Sequence, residues 1–290
     1  MAQAEEMKSQ IESMLKNIDG LPSFPGIVQK VLSMVSDPDA NFQELANEIS
    51  RDPGLTAAII RLSNSAYYSP SREIRSVHEA IVTLGLRTVK DIVLVTTSRG
   101  ILKQSLDGYK LDAAELWDHS LLVAGLSARV AEKTKVGVGP DVAFTAGLMH
   151  DVGKVVLASF FRKIYRKIDM EMKEDPSLRF TELEKKHMGY SHSEVGAHLL
   201  KIWNFPRELI EAALYNYDPE KAKINPALTA IVHVANMITL SAGVGVDAGG
   251  MAEPLSKAAL ETLQMKEEDL KELYENLPEL MEDLKAFREM

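Results

Sequence analysis

Apolar residues recur three and four positions apart along most of the chain, the spacing that lines one face of an α-helix. Ile27, Val28, Val31, Leu32 and Val35 form one such stripe, and Leu55, Ala58, Ile59 and Leu62 form another. A third begins with Ala80, Ile81 and Leu84. Residues 92–96 are rich in Val and Ile and could pass for a strand, but their helical flanks favour helix. Further runs with helical spacing start near Asp112, Pro140, Ser159, Thr181, Ser191, Pro206 and Pro226. No segment makes a convincing strand, so the pattern predicts an all-α fold in which helices pack on helices.

The breaks between these stripes have local causes. Pro22 and Pro25 cannot both lie inside a helix, so residues 21–25 end the first helical segment. Asp37-Pro38-Asp39 closes the next, and Asn41 or Asp39 is placed to cap the helix through Phe42, Leu45 and Ile49. At Asp52-Pro53 the carboxylate can accept from free amides of the following turn, while proline suits the first helical position. Asn64-Ser65 ends that helix, and Gly85 is expected to break the one begun at Ser76. Residues 241–250 read as a flexible loop rich in Gly and Ala. No strand precedes it, so it does not make a phosphate-binding loop. From Leu255 onward the chain reads as an acidic amphipathic tail broken once near Pro278. The expected organisation is an N-terminal helix over 1–20, a helical body over 21–240, and a loop and tail over 241–290. Within the body, 21–105 form an N-terminal helical lobe and 106–240 a second helical half.

Composition agrees with a packed core: 46% of the 290 residues are hydrophobic and 26% charged. There is no cysteine, which removes disulfides, thiolate ligands and cysteine nucleophiles. The formal net charge of -9 argues against a surface that binds nucleic acid directly, because phosphate contacts need clustered Lys and Arg. No stretch reaches the roughly 20 apolar residues that span a bilayer, and the first residues lack a basic start followed by an apolar run. A cytoplasmic protein without a membrane segment is expected.

The chemistry gathers around Gly147-Leu148-Met149-His150-Asp151-Val152-Gly153-Lys154. A His-Asp pair inside an apolar helical run is costly unless both side chains find partners, and a divalent metal is one natural partner. On a helix, adjacent side chains diverge by about 100° and could flank a metal.

With His119 in Leu116-Trp117-Asp118-His119-Ser120 and His192 in Gly189-Tyr190-Ser191-His192-Ser193-Glu194, this segment resembles the HD superfamily of metal-dependent phosphohydrolases. The resemblance implies metal ligation by His119, His150, Asp151 and His192. In the branch with the His-Asp-x-Gly-Lys pattern it also implies phosphate binding by Lys154. Further stretches resemble the HDOD family: Leu21-Pro22-Ser23-Phe24-Pro25, Ser50-Arg51-Asp52-Pro53-Gly54-Leu55-Thr56, Leu62-Ser63-Asn64-Ser65-Ala66-Tyr67-Tyr68, and residues 74–85. This second resemblance runs over 21–240 and implies a multi-helix HD-domain-like bundle.

The sequence departs from the pattern where further ligands are expected. Asn216-Tyr217 precedes Asp218-Pro219 in place of a His-His pair, and Val234-Ala235-Asn236 carries an amide in place of an aspartate. Neither a neutral amide nor a tyrosine of ordinary pKa near 10 replaces what is lost. At most one divalent ion (Fe, Mn, Mg or Zn) is expected, not a bridged pair. A different reading leaves these four residues hydrogen-bonded to one another as a relic polar core. His78, His187, His198 and His233 receive no ligand role, Trp203 and Phe205 read as core, and Arg72 and Arg75 as solvated surface.

HDOD proteins resemble relay or output modules in bacterial signalling, often joined to receiver, cyclase or phosphodiesterase domains. The helical body leaves no room for one here, so sensing is expected from a separate partner. The resemblance therefore implies a signal-transduction module with a degenerate HD-type site that binds a signalling protein or a small nucleotide-like ligand. The alternative is a metal-dependent phosphohydrolase acting on a nucleotide or cyclic dinucleotide. A homodimer formed through the acidic tail is a third expectation.

Overall fold

The computed structural model describes residues 2–16, 26–35, 41–68, 70–103, 106, 109, 111–112, 114–162, 164–175, 177–246 and 254–289. The breaks expected at 21–25 and 37–39, and the loop beyond residue 246, lie outside the described residues. Helices follow in the order α1 (Ala2–Lys16), α2 (Gly26–Val35), α3 (Phe42–Ile49), α4 (Pro53–Ser63), α5 (Val77–Leu102), α6 (Glu115–Thr134), α7 (Pro140–Met149), α8 (Gly153–Phe161) and α9 (Tyr165–Glu174). They continue with α10 (Phe180–Met188), α11 (His192–Ile202), α12 (Arg207–Tyr215), α13 (Pro226–Ser241), α14 (Lys257–Leu263), α15 (Glu267–Glu275), α16 (Leu277–Asp283) and α17 (Lys285–Arg288). The fold is all-α: among the described residues the only extended pairing is an isolated bridge between Leu106 and Leu111. No helix among them is long and apolar enough to cross a membrane.

Contacts divide the chain into two compact units, Met1–Ser23 with Ile101–Asn276, and Phe24–Gly100 with Leu277–Met290. The smaller unit follows the local chemistry read from its sequence. Asn41 accepts from the amides of Gln43 and Glu44, and Asp52 accepts from the Leu55 amide at 2.9 Å with Pro53 opening α4. Asn64 ends α4 and ties down the following loop. Its Nδ2 donates to Ile60 O at 2.8 Å and Ile74 O at 2.7 Å, and its Oδ1 accepts from Ile74 N at 2.8 Å. Residues 92–96 are helical. Gly85 breaks the helix as expected: at φ 86°, ψ 160° it is non-helical and divides α5 into two helical segments at a kink, a conformation that costs glycine little. The buried Phe287 ring meets Tyr67 edge-on, with centroids 5.3 Å apart.

In the larger unit α6 packs on α7, and α13 packs against both. Nearly every residue of α13 from Leu228 to Leu240 is buried, as expected of a helix apolar on all sides. α11 packs on α12 and α8, and α1 packs on α10. Trp203 and Phe205 are core residues, as read from the sequence. The tail breaks near Pro278 as expected, since α15 ends at Glu275 and α16 begins at Leu277 with the proline in its first turn, where it is tolerated. It is divided further than expected, at Gln264, in left-handed backbone with φ 53°, and again between α16 and α17. The run expected from Ser159 is also divided, by the turn between α8 and α9.

Candidate metal centre

His150 and Asp151 do not sit within a continuous helix. α7 ends at Met149, His150 caps it, and Asp151 and Val152 turn the chain into α8. Through this turn the hydrogen bonds tighten to an i→i+3 pattern, Val152 N–H to Met149 O and Lys154 N–H to Asp151 O. His119 comes from the buried face of α6, and His192 is the first residue of α11, behind a Ser191–Glu194 capping box. Gly153 explains how close α8 and α11 can lie. A β-carbon there would collide with the carbonyl oxygen of His192, so only glycine permits this approach.

The four residues expected as ligands converge on the Asp151 carboxylate. His150 Nε2 lies 3.4 Å and His119 Nε2 3.7 Å from Asp151 Oδ2, while His192 Nε2 lies 3.4 Å from Oδ1. Each is at most 1% exposed. One ligand atom each from His119, His150 and Asp151 fall within 4.8 Å of one another, a set that could hold a metal ion.

The far side of each ring explains its orientation. His119 Nδ1–H donates to Val244 O at 3.0 Å, and His150 Nδ1–H donates to Gly147 O at 2.7 Å. His192 Nδ1–H donates to Glu184 Oε2 at 2.7 Å. Every Nδ1 is thereby committed outward, and every Nε2 is turned inward toward the carboxylate. The three Nε2 atoms and Asp151 Oδ1 have no hydrogen-bond partner. The open Nε2 atoms of His119 and His150 beside the Asp151 carboxylate fit the ligand set of a cation, with outward acceptors fixing the tautomers of those two rings.

Electrostatics show how the protein tolerates this arrangement. Burial, reinforced by the neighbouring His150, pushes His119 down to about 4, and burial also lowers His150. Both rings are therefore neutral near pH 7 and have free Nε2 lone pairs. Burial would raise Asp151, but His150, Lys154 and His192 outweigh it and hold the carboxyl well below its ordinary range. Burial would lower His192, but Glu184 and Asp151 outweigh it and raise it to about 9. Lys154, 1% exposed, donates from Nζ to Asp151 Oδ2 at 2.6 Å. Within the site, Lys154 and His192 thus face the two buried acidic side chains, Asp151 and Glu184.

The sequence reading missed Glu184. It is fully buried, takes a second bond from the His192 backbone N–H at 3.0 Å, and accepts from the Tyr109 hydroxyl at 2.7 Å. A carboxylate among Phe180, Leu183 and Met188 on the buried face of α10 was the available signal. It also missed His233, whose Nδ1–H donates to Asn216 O at 2.6 Å and whose Nε2 accepts from Ser256 N–H at 2.9 Å. Of the positions that depart from the ligand pattern, the two amides are at the core and Tyr217 is half-buried. Asn216 and Asn236 are fully buried, both amide atoms of Asn236 lack a partner, and the Tyr217 ring meets His192 edge-on at 5.4 Å. Val244 and Gly245 cover His119: a β-carbon on Gly245 would strike that side chain.

The HDOD domain matches residues 21–219 of this chain. A solved HDOD domain protein of unknown function from Geobacter sulfurreducens is 26% identical, with a TM-score of 0.76 and 96% of each chain covered. An uncharacterised protein of Treponema pallidum is 24% identical over 226 residues, 78% of this chain and 43% of its own length. Over 97 residues, the cyclic-di-AMP phosphodiesterase PgpH of Bacillus subtilis is 30% identical, covering 33% of this chain and 13% of its own. The chain thus spans less than half the length of these curated relatives.

Proposed function

From the premise that this chain belongs to the HDOD domain family, we propose that it is a signal-transduction module whose degenerate HD-type site binds and does not hydrolyse. The observation that carries this reading is the occupancy of the remaining ligand positions. Asn216, Tyr217 and Asn236 stand where the pattern requires two histidines and an aspartate, and the two amides are fully buried. A second cation has no anionic ligand left to hold it. One divalent ion would be held by His119, His150 and Asp151, with His192 approaching the other carboxylate oxygen. When bound, such an ion would act as a Lewis acid toward an oxygen ligand. Lys154 keeps its assigned phosphate role in this reading only once it has left Asp151.

Enclosure supports regulation over turnover, since every member of the site is at most 1% exposed. A signalling partner, or a second copy of the chain, would read the state of the site through the helices around it. A nucleotide-like ligand requires the cover over His119 to open. The test is elemental analysis and Mn²⁺ loading of purified protein, followed by a hydrolysis panel of nucleotides and cyclic dinucleotides. At most one ion per chain and no turnover are expected. Turnover that disappears in His150→Ala and Asp151→Ala overturns the reading.

The metal-dependent phosphohydrolase is the second reading, and one observation favours it. The inward Nε2 atoms of His119 and His150 with the Asp151 carboxylate make a competent donor set, and the likeness to PgpH gives it a substrate class, cyclic dinucleotides. The same hydrolysis panel decides between the two.

A further inference from the structure

We infer that Lys154 is a built-in competitor for the metal, holding the one Asp151 oxygen that a divalent ion needs and so setting the affinity of the site. The inference rests on the metal-competent part of the reading above. The two carboxylate oxygens of Asp151 are not equivalent. Oδ2 is the oxygen nearest His150 Nε2 at 3.4 Å and His119 Nε2 at 3.7 Å, so an ion shared by these three residues must coordinate it. Oδ2 is also where Lys154 Nζ sits, at 2.6 Å. Oδ1, by contrast, has no hydrogen-bond partner and faces His192. The ammonium and the ion therefore contend for the same atom.

Lys154 is well placed to contend. It follows Asp151 by three residues, so the turn into α8 returns its side chain to the carboxylate. Gly153 lets α8 lie against α11, and the lysine is buried with its partner. A buried unit charge a few ångströms from an incoming dication opposes it much more strongly than a solvated one does. An ion on Oδ2 repels the ammonium that shares that oxygen and drives it toward another anion or outward. Metal occupancy and the position of Lys154 are two faces of one equilibrium, so each biases the other.

Mn²⁺ is the probe. Its affinity for wild type, Lys154→Met, Lys154→Gln and Lys154→Arg is measured by calorimetry and by loss of the free-ion paramagnetic resonance signal, with His150→Ala as the control for site. Removal of the charge tightens Mn²⁺ binding more than about tenfold in the Met and Gln variants, the lower end of what one unit charge does at an effective dielectric constant of about 20. Lys154→Arg, which keeps the charge, stays close to wild type. A purely packing role would weaken all three variants alike. Should Lys154→Met fail to fold, the Gln and Arg pair makes the same comparison. Wild type that binds Mn²⁺ through His150 with equal or greater affinity than the neutral variants overturns the inference and leaves the metal-competent reading standing. If neither wild type nor any variant takes up Mn²⁺, the metal-competent reading falls and takes the inference with it.

Discussion

Glu184 holds His192 at two points: its Oε2 accepts from the ring Nδ1–H at 2.7 Å and from the backbone N–H at 3.0 Å. The other oxygen is held by Tyr109 at 2.7 Å. This carboxylate fixes the direction of the one ring that faces Asp151 Oδ1. Supporting carboxylates of this kind strengthen histidine as a ligand. Glu184→Gln should weaken Mn²⁺ binding by about 10- to 100-fold, measured by calorimetry, with the downfield Nδ1–H resonance of His192 lost in parallel. An unchanged affinity would mean that His192 takes no part in holding the ion.

His233 joins the end of α12 to the start of α14, and its two bonds require the neutral ring. Burial lowers its pKa below the ordinary value. Because the folded pKa is depressed, the unfolded chain takes up the proton first as pH falls. The contribution of His233 is full above about pH 6.5 and declines below it. His119 and His150 act in the same direction and His192 in the opposite one, so a single-site difference is needed. The stability gap between wild type and His233→Gln, from chemical denaturation, should be widest near pH 7.5 and narrow by pH 5. A gap independent of pH would show that the ring's protonation state does not matter.

Asn64 closes the turn after α4 with three bonds to Ile60 and Ile74. Two of these bonds tether residues ten apart in sequence, so no neighbour can supply them after truncation. Asn64→Ala should lower unfolding free energy by about 2 kcal/mol. Asn64→Asp, which keeps only the acceptor, should also be destabilising. Urea denaturation measures both, and an effect below about 0.5 kcal/mol would contradict the tether.

How much of this was legible in the sequence depends on the range of the interaction. Caps and stops were readable where one residue acts on its own turn, as at Asn41, Asp52 and Asn64, and the buried stripes gave the helices. The gathering of His119, His150, Asp151 and His192 followed from a resemblance, since spacing alone cannot bring α6 and α11 to the same place. The turn at Asp151 was not legible, because apolar residues on both sides carry the helical period through it. Glu184 was hidden by composition: on an acidic chain one more Glu on an amphipathic helix looks like surface. The commitment of each Nδ1, to Val244, Gly147 and Glu184, is a three-dimensional fact with no local signal. So is the choice by Lys154 of Oδ2 over solvent.

The most direct test of a single-ion, non-hydrolytic site is anomalous scattering from crystals grown with excess Mn²⁺. One peak per chain is expected, bounded by His119, His150 and Asp151, with Lys154 Nζ moved away from Oδ2. Two peaks a few ångströms apart, with Asn216 or Asn236 among the ligands, would contradict the account.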